Sequence, residues 1–517
     1  MKYAVNAEEM KEIDAYTVER LKLPVLVLME RAALETVRVM KQSLKREDRI
    51  LVVCGPGNNG GDGVAAGRIL FQQGYRVALL FVCGEDHFNS QMRLQTEIAR
   101  NLGVPVENNS KPGEYTILID AIFGVGLSRP VEGAYRAAIN EINQSKGIVY
   151  AIDLPSGISS DTGKVMGTAV RADHTVTYGF KKMGLLLYPG AEYAGTITVA
   201  DIGFPEEALR RVLPDTFYYD REDLRRLPAR TAYSNKGTYG RVLVIAGSSG
   251  MGGAAYLSAK AAYRSGAGLV KVLTSSDNRN IMQTLLPEAL FSAYDPVGRE
   301  GQEELDEATA SIGWASATVI GPGLGRTDKT MELLQLTVKY GAGPLIVDAD
   351  ALNILAGLLD REGLSSPPDR LKRLDELLPA GTILTPHLKE LSRIIAVPVA
   401  SIVDNLIDTA RQCSYNSKLI YVIKDARTVV AGAGKLYLNC SGNNGMATGG
   451  CGDVLTGIIA AMIAQGMNSY EASCLGVYIH GLAGDAAAEE KGTYSLMAGD
   501  LLERIDKVLK VKEQENC

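Results

Sequence analysis

The chain has 517 residues, 46% of them apolar, and its 54 basic and 60 acidic side chains leave a formal net charge of -6. At roughly 100 to 200 residues per domain, that length predicts two or three domains, two if each is a large α/β unit. The two signs of charge are mixed along the chain, which excludes the one-sided positive field that nucleic acid or an anionic membrane surface needs and points to small-molecule partners.

The segment Asn6 to Met40 reads as two amphipathic helices, the first opened by Glu8 and Glu9, the second set off by Pro24. Short β-branched runs follow at Arg49 to Cys54, Arg76 to Val82, Thr116 to Asp120, Ile148 to Asp153 and His174 to Tyr178. Their alternation with helical stretches predicts parallel strands joined by helical crossovers. The first strand runs into GPGNNGGDGVAAGRIL, Gly55 to Leu70, where glycines free the backbone to approach an anion and a helix start offers unpaired N–H groups, so a phosphate is expected there. Two further strand ends carry an acid before a loop, Asp120 before Gly124 and Gly126, and Asp153 before Ser156 and Gly157. Three such ends converging on one crevice would supply carboxylates for proton transfer or cation binding.

A polar, proline-punctuated stretch, roughly Phe204 to Lys236, reads as the domain connection. Beyond it the rhythm resumes with Arg241 to Ala246, Gly268 to Thr274, Thr318 to Gly321, Pro344 to Asp348, Thr382 to Thr385 and Ile420 to Lys424. Strand ends here carry small-residue or acidic turns: Ala246 to Ala254, IGPGLG at Ile320 to Gly325, DADALN at Asp348 to Asn353, and Thr385-Pro386-His387. The run Asn443 to Asp453 leads into an apolar helix, Val454 to Gln465, and combines backbone donors with a base, the arrangement phosphoryl chemistry requires. His480 lies in a small-residue helix, Ser473 to Ala488, where a packed and satisfied ring is expected. The seven cysteines, Cys54, Cys83, Cys413, Cys440, Cys451, Cys474 and Cys517, form no C-x-x-C pair, and neither a disulfide framework nor a zinc site is expected. No apolar signal region opens the sequence and no run reaches the roughly 18 apolar residues of a membrane span, so a cytoplasmic protein is expected.

NNGGDG at Asn58 to Gly63, DAIFGVGLSRP at Asp120 to Pro130 and DLPSGISSDTG at Asp153 to Gly163 resemble the signature set of the NAD(P)H-hydrate epimerase family, over about residues 1 to 210. The resemblance implies a Rossmann-like three-layer domain, taken as residues 1 to 216. It implies that Asn58, Asn59, Gly60, Gly61 and Asp62, with Gly124, Val125, Gly126, Leu127, Ser128, Arg129 and Pro130, hold a hydrated nicotinamide nucleotide. It further implies a potassium ion on Asn59, Asp120 and Ser156, an oxygen set suited to a hard cation, and Asp153 as the substrate-binding acid/base group of epimerisation. The bland reading of Asp153 is a turn cap.

KGTYG at Lys236 to Gly240, IGPGLG, DADALN, TPH and GCGDVLTG at Gly450 to Gly457 resemble the NAD(P)H-hydrate dehydratase family of the ribokinase-like superfamily, over about residues 220 to 510. The resemblance implies a second three-layer α/β sandwich, taken as residues 217 to 517. It implies that Lys424, Asp425, Ala426, Arg427 and Thr428, with Asn443, Asn444, Gly445, Met446, Ala447, Thr448, Gly449, Gly450, Cys451 and Gly452, contact ADP or ATP, magnesium accompanying the nucleotide. Ala254, Gly325, His387 and Asp453 would contact the hydrated cofactor, with Asp453 as general base for phosphorylation before elimination. The chain departs from the family pattern at four positions in three motifs: Asn235 for His, Leu388-Lys389 for Pro-Gly, and Cys451 for Ser. Cys451 reads as a small residue in a serine's place, or else as a thiol activated by a helix start. The alternatives are a small-molecule kinase in the second domain, or a non-catalytic nucleotide-binding module in the first. A homo-oligomer is the expected assembly.

Overall fold

A computed structural model of the chain describes residues 1–107, 111–295 and 302–514; Cys517 lies outside them. The chain divides into two compact units, Tyr3–Thr216 and Phe217–Cys517, the latter joined by Met1–Lys2.

In the first unit seven strands form one parallel sheet in the order Val106–Glu107, Arg76–Phe81, Arg49–Cys54, Ile117–Ala121, Ile148–Ile152, His174–Tyr178, Thr196–Ala200. The strands are almost unbroken apolar runs because both faces are covered. Val52, Ile119 and Ile152 pack with Ala33, Val37, Val64 and Leu70 of the helices Val25–Met40 and Asn58–Gln72. Their neighbours Leu51, Val53, Leu118 and Ala151 point the other way, onto Ile139 and Ile142 of the helix Gly133–Gln144. Chain direction across the sheet reverses between Arg49–Cys54 and Ile117–Ala121, and open α/β sheets form their ligand crevice outside the carboxyl ends at such a switch.

The glycines of the first loop serve packing more than anion approach. A Cβ on Gly55 would stand 2.0 Å from the Ile122 carbonyl oxygen, and one on Gly60 would stand 2.0 Å from that of Gly55. Gly63 presses on Ala121. Only Gly57, the uncapped N-cap of Asn58–Gln72, faces open space. Gly57 alone among these glycines leaves space before it, because seating the helix against its surroundings takes up the others.

The expected helical pair is present. Asn6 caps Ala7–Ala15 in a capping box with Glu9, a π-helical turn continues to Arg20, and Pro24 opens Val25–Met40.

In the second unit the strands run Leu290–Tyr294, Leu269–Ser275, Arg241–Ile245, Ala317–Ile320, Leu345–Val347, Ile383–Leu384, Ile420–Ile423, Val429–Gly432, Lys435–Leu438, parallel up to Ile420–Ile423 and antiparallel in the closing hairpin. The switch lies between Arg241–Ile245 and Ala317–Ile320, and there the two loops bind each other through Gly247 N to Pro322 O at 2.9 Å. Helix Cys451–Ala464 packs on helix Gly252–Arg264; Gly457 leaves room for the Ser258 carbonyl, and the two buried hydroxyls of Ser258 and Thr456 lie 3.0 Å apart.

The Phe204 to Lys236 stretch is not a bare linker. It contains a helix, Glu206–Val212, and a strand, Thr216–Tyr218, and the division between units falls inside it. Phe217 and Tyr219 are buried against Tyr437 at ring distances of 5.6 and 4.7 Å. The prolines and charges dominate this stretch in sequence, but the apolar burial of three consecutive aromatics decides its structure.

Candidate active sites

The first crevice is a cavity of about 660 Å³ whose walls include Asn58, Asn59, Asp62, Gly124, Val125, Gly126, Leu127 and Asp153. Ser128, Arg129 and Pro130 are exposed beyond this wall. Gly60 and Gly61 are buried beneath it. Asp153 follows the strand Ile148–Ile152 with a left-handed backbone, φ +66°, a conformation that costs a non-glycine residue about 1–3 kcal/mol and clusters at functional sites. Its Oδ1 accepts from the Lys182 ammonium, from Thr177 Oγ1 at 3.2 Å and from Tyr178 N at 3.3 Å. Its Oδ2 makes no hydrogen bond among the described residues.

Lys182, Asp14 and Tyr178 also line the cavity, and none was legible as a site residue in the sequence. Lys182 stands in a two-residue strand beside Lys181 with no motif around it. Asp14 differs from other helical acids only in following Ile13 on a buried face. Burial, reinforced by the charge of Asp153 and opposed by Lys182, pushes the Asp14 carboxyl up to about 6. Burial with the charges of Asp153 and Asp14 holds the Asp62 carboxyl well above the usual carboxylate range.

Behind the cavity, Asp120 is completely buried. It accepts from Ser156 Oγ at 2.6 Å, Ser156 N at 2.7 Å and Ile122 N at 3.2 Å. No cationic side chain pairs with it among the described residues, and burial raises its carboxyl to about 6 against the pull of those bonds. Ser156 Oγ lies 3.3 Å from the Phe123 carbonyl oxygen, and the Asn59 amide nitrogen is buried with no partner. Exchanging the Asn59 amide O and N, which geometry alone decides, turns an orphaned donor into a further oxygen ligand. A buried all-oxygen set with one uncompensated carboxylate fits a hard monovalent cation.

The second crevice, about 420 Å³, is lined by Ala254, His387 and Asp453 together with Met251, Gly323, Arg326, Ala349, Asp350, Asn353, Lys389, Glu390 and Arg393. Gly325 stands beside it with its amide donating to Asp350 Oδ2 at 2.8 Å. Asp453 is in the first turn of Cys451–Ala464, whose N-cap Gly450, φ +92°, provides no side-chain cap and leaves the first N–H groups unclaimed. Burial, with the charge of Asp348 adding and Lys424 opposing, raises Asp453 to about 7.

Lys424, expected at the nucleotide, follows the strand Ile420–Ile423. Its ammonium pairs with Asp348 Oδ1 at 2.7 Å, and a Cβ on Gly452 would lie 3.3 Å from it. It therefore faces the acid centre of the crevice. Burial works against its charge, yet Asp348, Glu390 and Asp453 together hold its pKa above the ordinary lysine value. His387 caps the helix Leu388–Ile395, its Nδ1 accepting from Lys389 N at 3.1 Å and Glu390 N at 3.2 Å. The other nitrogen, Nε2, lies 3.4 Å from Glu390 Oε1. Burial foremost lifts Glu390 to about 7.

The remaining expected nucleotide residues line a separate pair of loops. Asp425 and Ala426 are exposed, Thr428 is half-buried, and Arg427 donates to the Cys440 carbonyl at 3.3 Å, which draws the first loop towards Ser441 and Gly442. Asn443 is tied to Asp485 at 3.0 Å and receives Gly445 N at 3.0 Å. Asn444, Ala447, Thr448 and Gly449 are exposed, and Met446 packs against Gly484. Cys451 is buried, and burial pushes its thiol up to about 11, which favours the small residue in a serine's place over the activated thiol. His480 Nε2 meets the Cys451 carbonyl at 2.9 Å, the packed and satisfied ring expected.

The sequence matches the family described as NAD(P)H-hydrate dehydratase over residues 242–507 and the YjeF-related protein N-terminus over residues 25–184. It is 36% identical to the bifunctional NAD(P)H-hydrate repair enzyme of Moorella thermoacetica over 99% of this chain and 98% of that one. The chain belongs to the bifunctional NAD(P)H-hydrate repair enzyme family. Other family members of the same description include those of Thermofilum pendens, 35% identical over 99% of this chain and 97% of that one, and Escherichia coli, 31% identical over 97% and 93%. Among solved structures, an ADP/ATP-dependent NAD(P)H-hydrate dehydratase from Bacillus subtilis, co-crystallised with ATP and magnesium, is 29% identical and covers 57% of this chain and 98% of its own, with a TM-score of 0.48. No helix among the described residues is long and apolar enough to cross a membrane.

Proposed function

We propose that this NAD(P)H-hydrate repair enzyme interconverts the R and S epimers of hydrated NADH or NADPH in its first unit. In the second it dehydrates the S epimer to NAD(P)H at the expense of ADP or ATP. The observation carrying this reading is the presence, in one chain matched end to end by bifunctional relatives, of two cavities at topological switch points, one holding Asp153 and the other Asp453.

In the first crevice Asp153 transfers a proton at the hydrated ring carbon. Its Oδ1 is anchored by Lys182, Thr177 and Tyr178, which leaves Oδ2 for the substrate. Asn59, Asp120 and Ser156 would hold potassium, whose charge there would compensate the buried Asp120 carboxylate. In the second crevice Asp453 takes the proton of the ring hydroxyl as that oxygen attacks the terminal phosphorus of the nucleotide. The unclaimed amides at the start of Cys451–Ala464 stabilise charge on the moving group. Phosphate is then a good leaving group, and its departure with a ring proton restores the dihydronicotinamide. No group of three or more His, Cys, Asp or Glu positioned for a metal occurs among the described residues, which fits magnesium arriving on the nucleotide phosphates. Lys424–Thr428 and Asn443–Gly452 are assigned to that nucleotide.

The test is a coupled assay on chemically prepared hydrate, with ADP and ATP compared and potassium varied. Asp153→Asn should abolish R-to-S conversion and spare dehydration of the S epimer; Asp453→Asn should do the reverse. Regenerated NADH absorbance with phosphate released supports the dehydratase, whereas a phosphorylated alcohol that persists would make the second unit a kinase.

A further inference from the structure

Epimerisation at a ring carbon that bears both nitrogen and a hydroxyl can run through loss of that hydroxyl to an iminium and addition of water to the other face, a route with two proton transfers of which a single acid/base group accounts for one. Asp153 is also committed on one side, its Oδ1 being held by three donors. A partner acid must reach the same cavity from another wall.

Helix Ala7–Ala15 supplies that wall. Its start is fixed by the Asn6–Glu9 capping box and by Ala7 N donating to Asp161 Oδ1 at 2.6 Å, within the loop that follows Asp153. Met10 and Ile13 pin its apolar side onto Val5 and Ala208. Asp14 then lines the cavity with Asp62, Asp153 and Lys182. Its carboxyl makes no hydrogen bond among the described residues. Neither a cap nor an ion pair explains an acid in that place.

We propose that Asp14 is a catalytic residue of epimerisation, the acid that protonates the departing ring hydroxyl while the Asp153 carboxylate activates the incoming water. The proposal rests on the Asp153 reading above. In the forward step Asp14 gives its proton to the hydroxyl, the C–O bond breaks, and water leaves as the ring nitrogen's electron pair forms the iminium. Water then adds to the other face, giving one proton to Asp153 as the new C–O bond forms and the iminium electrons return to nitrogen. Exchange with solvent returns a proton to Asp14 and removes one from Asp153 between turnovers, the reverse reaction exchanges the roles, and no external oxidant or cofactor is needed.

The charged groups facing Asp14 are Lys11 and Glu19 at the cavity mouth and Asp62, Asp153 and Lys182 inside it, with the Tyr178 phenol beside them. The surroundings separate the acids by task. Burial foremost lifts Asp14 to about 6, near enough to neutrality for a group that must both give and take a proton. Asp62 is raised well above the carboxylate range by burial and by the charges of Asp153 and Asp14.

The test uses the full chain, whose second unit consumes only the S hydrate, with thermal unfolding of the first unit as the check on folding. With R hydrate, Asp14→Asn should lower kcat on the order of 100-fold or more with KM nearly unchanged. Asp14→Glu should recover part of the rate, and S-hydrate dehydration should stay intact. The wild-type epimerisation rate should fall as pH rises through about 6, where Asp14 loses its proton, and that limb should vanish in Asp14→Asn. Turnover in oxygen-18 water should label the product hydroxyl. A full R-hydrate rate in Asp14→Asn, or a loss confined to KM, overturns the proposal. Asp153→Asn measured in parallel separates the two readings, since a rate retained there removes Asp153 whatever Asp14 does. Should Asp14→Asn misfold, Asp14→Ala with added formate decides: recovered R-hydrate turnover supports the acid, and none in a chain whose first unit unfolds like the wild type's counts against it.

Discussion

The Lys182 ammonium and the Asp153 carboxylate form an ion pair in which the lysine side chain is 1% exposed, and the ammonium's other bonds go to Thr177 Oγ1 at 3.1 Å and the Tyr178 carbonyl at 3.0 Å. The pair is therefore a buried unit with little tolerance for losing one member. Lys182→Met should destabilise the first unit by about 3–5 kcal/mol, because an unpaired buried charge remains. Adding Asp153→Asn to Lys182→Met should recover much of that stability without restoring epimerisation. Thermal unfolding followed beside both activities checks this, and a single variant as stable as the wild type refutes the coupling.

The dehydratase rate should rise with pH through about 7, since Asp453 acts as base only when deprotonated. Burial is the main cause of its high value, but the Asp348 charge adds to it and Lys424 opposes it. Asp348→Asn removes the added repulsion and frees Lys424 to act on Asp453. The acidic limb of the kcat profile should then move to lower pH; a shift to higher pH contradicts this assignment of charges.

Two glycines of one loop should respond oppositely to alanine. Gly60→Ala places a methyl 2.0 Å from the Gly55 carbonyl oxygen, and forced overpacking of that kind costs about 1–3 kcal/mol. Gly57→Ala meets open space with φ at -97° and should fold normally. Proteolytic resistance of the first unit distinguishes them.

Cys451 should be slow to alkylate at neutral pH, because burial pushes its thiol up to about 11. Cys451→Ser should retain dehydratase activity. Rapid labelling of this thiol, detected by mass spectrometry of the intact chain, would contradict that picture.

Most strands were legible because a parallel sheet covered on both faces demands near-continuous apolar runs, and His174 to Tyr178 falls where it was expected. The unforeseen strands are short or peripheral, such as Val106–Glu107 and the hairpin Val429–Gly432 with Lys435–Leu438. Val106–Glu107 pairs with Arg76–Phe81, well upstream in the chain, whereas the hairpin strands are only four residues each, too short for periodicity to mark them. The burial of Phe217 and Tyr219 was also hidden, since a polar surrounding sequence says nothing about an aromatic cluster formed with Tyr437.

Within the sites, sequence alone determined where the turn-associated acids lie, Asp120 and Asp153 at strand ends and Asp453 at a helix start, because the loop that bends the chain also presents the side chain. Tertiary structure alone decided which charges those acids meet. Lys182 reaches Asp153 across 29 positions and Asp348 reaches Lys424 across 76, while Asp14 enters the first cavity from a helix that precedes the sheet. Local sequence records backbone turns and apolar periodicity, but a charge's partner is selected by burial, where low dielectric makes an unpaired group costly and only folding brings the partner near.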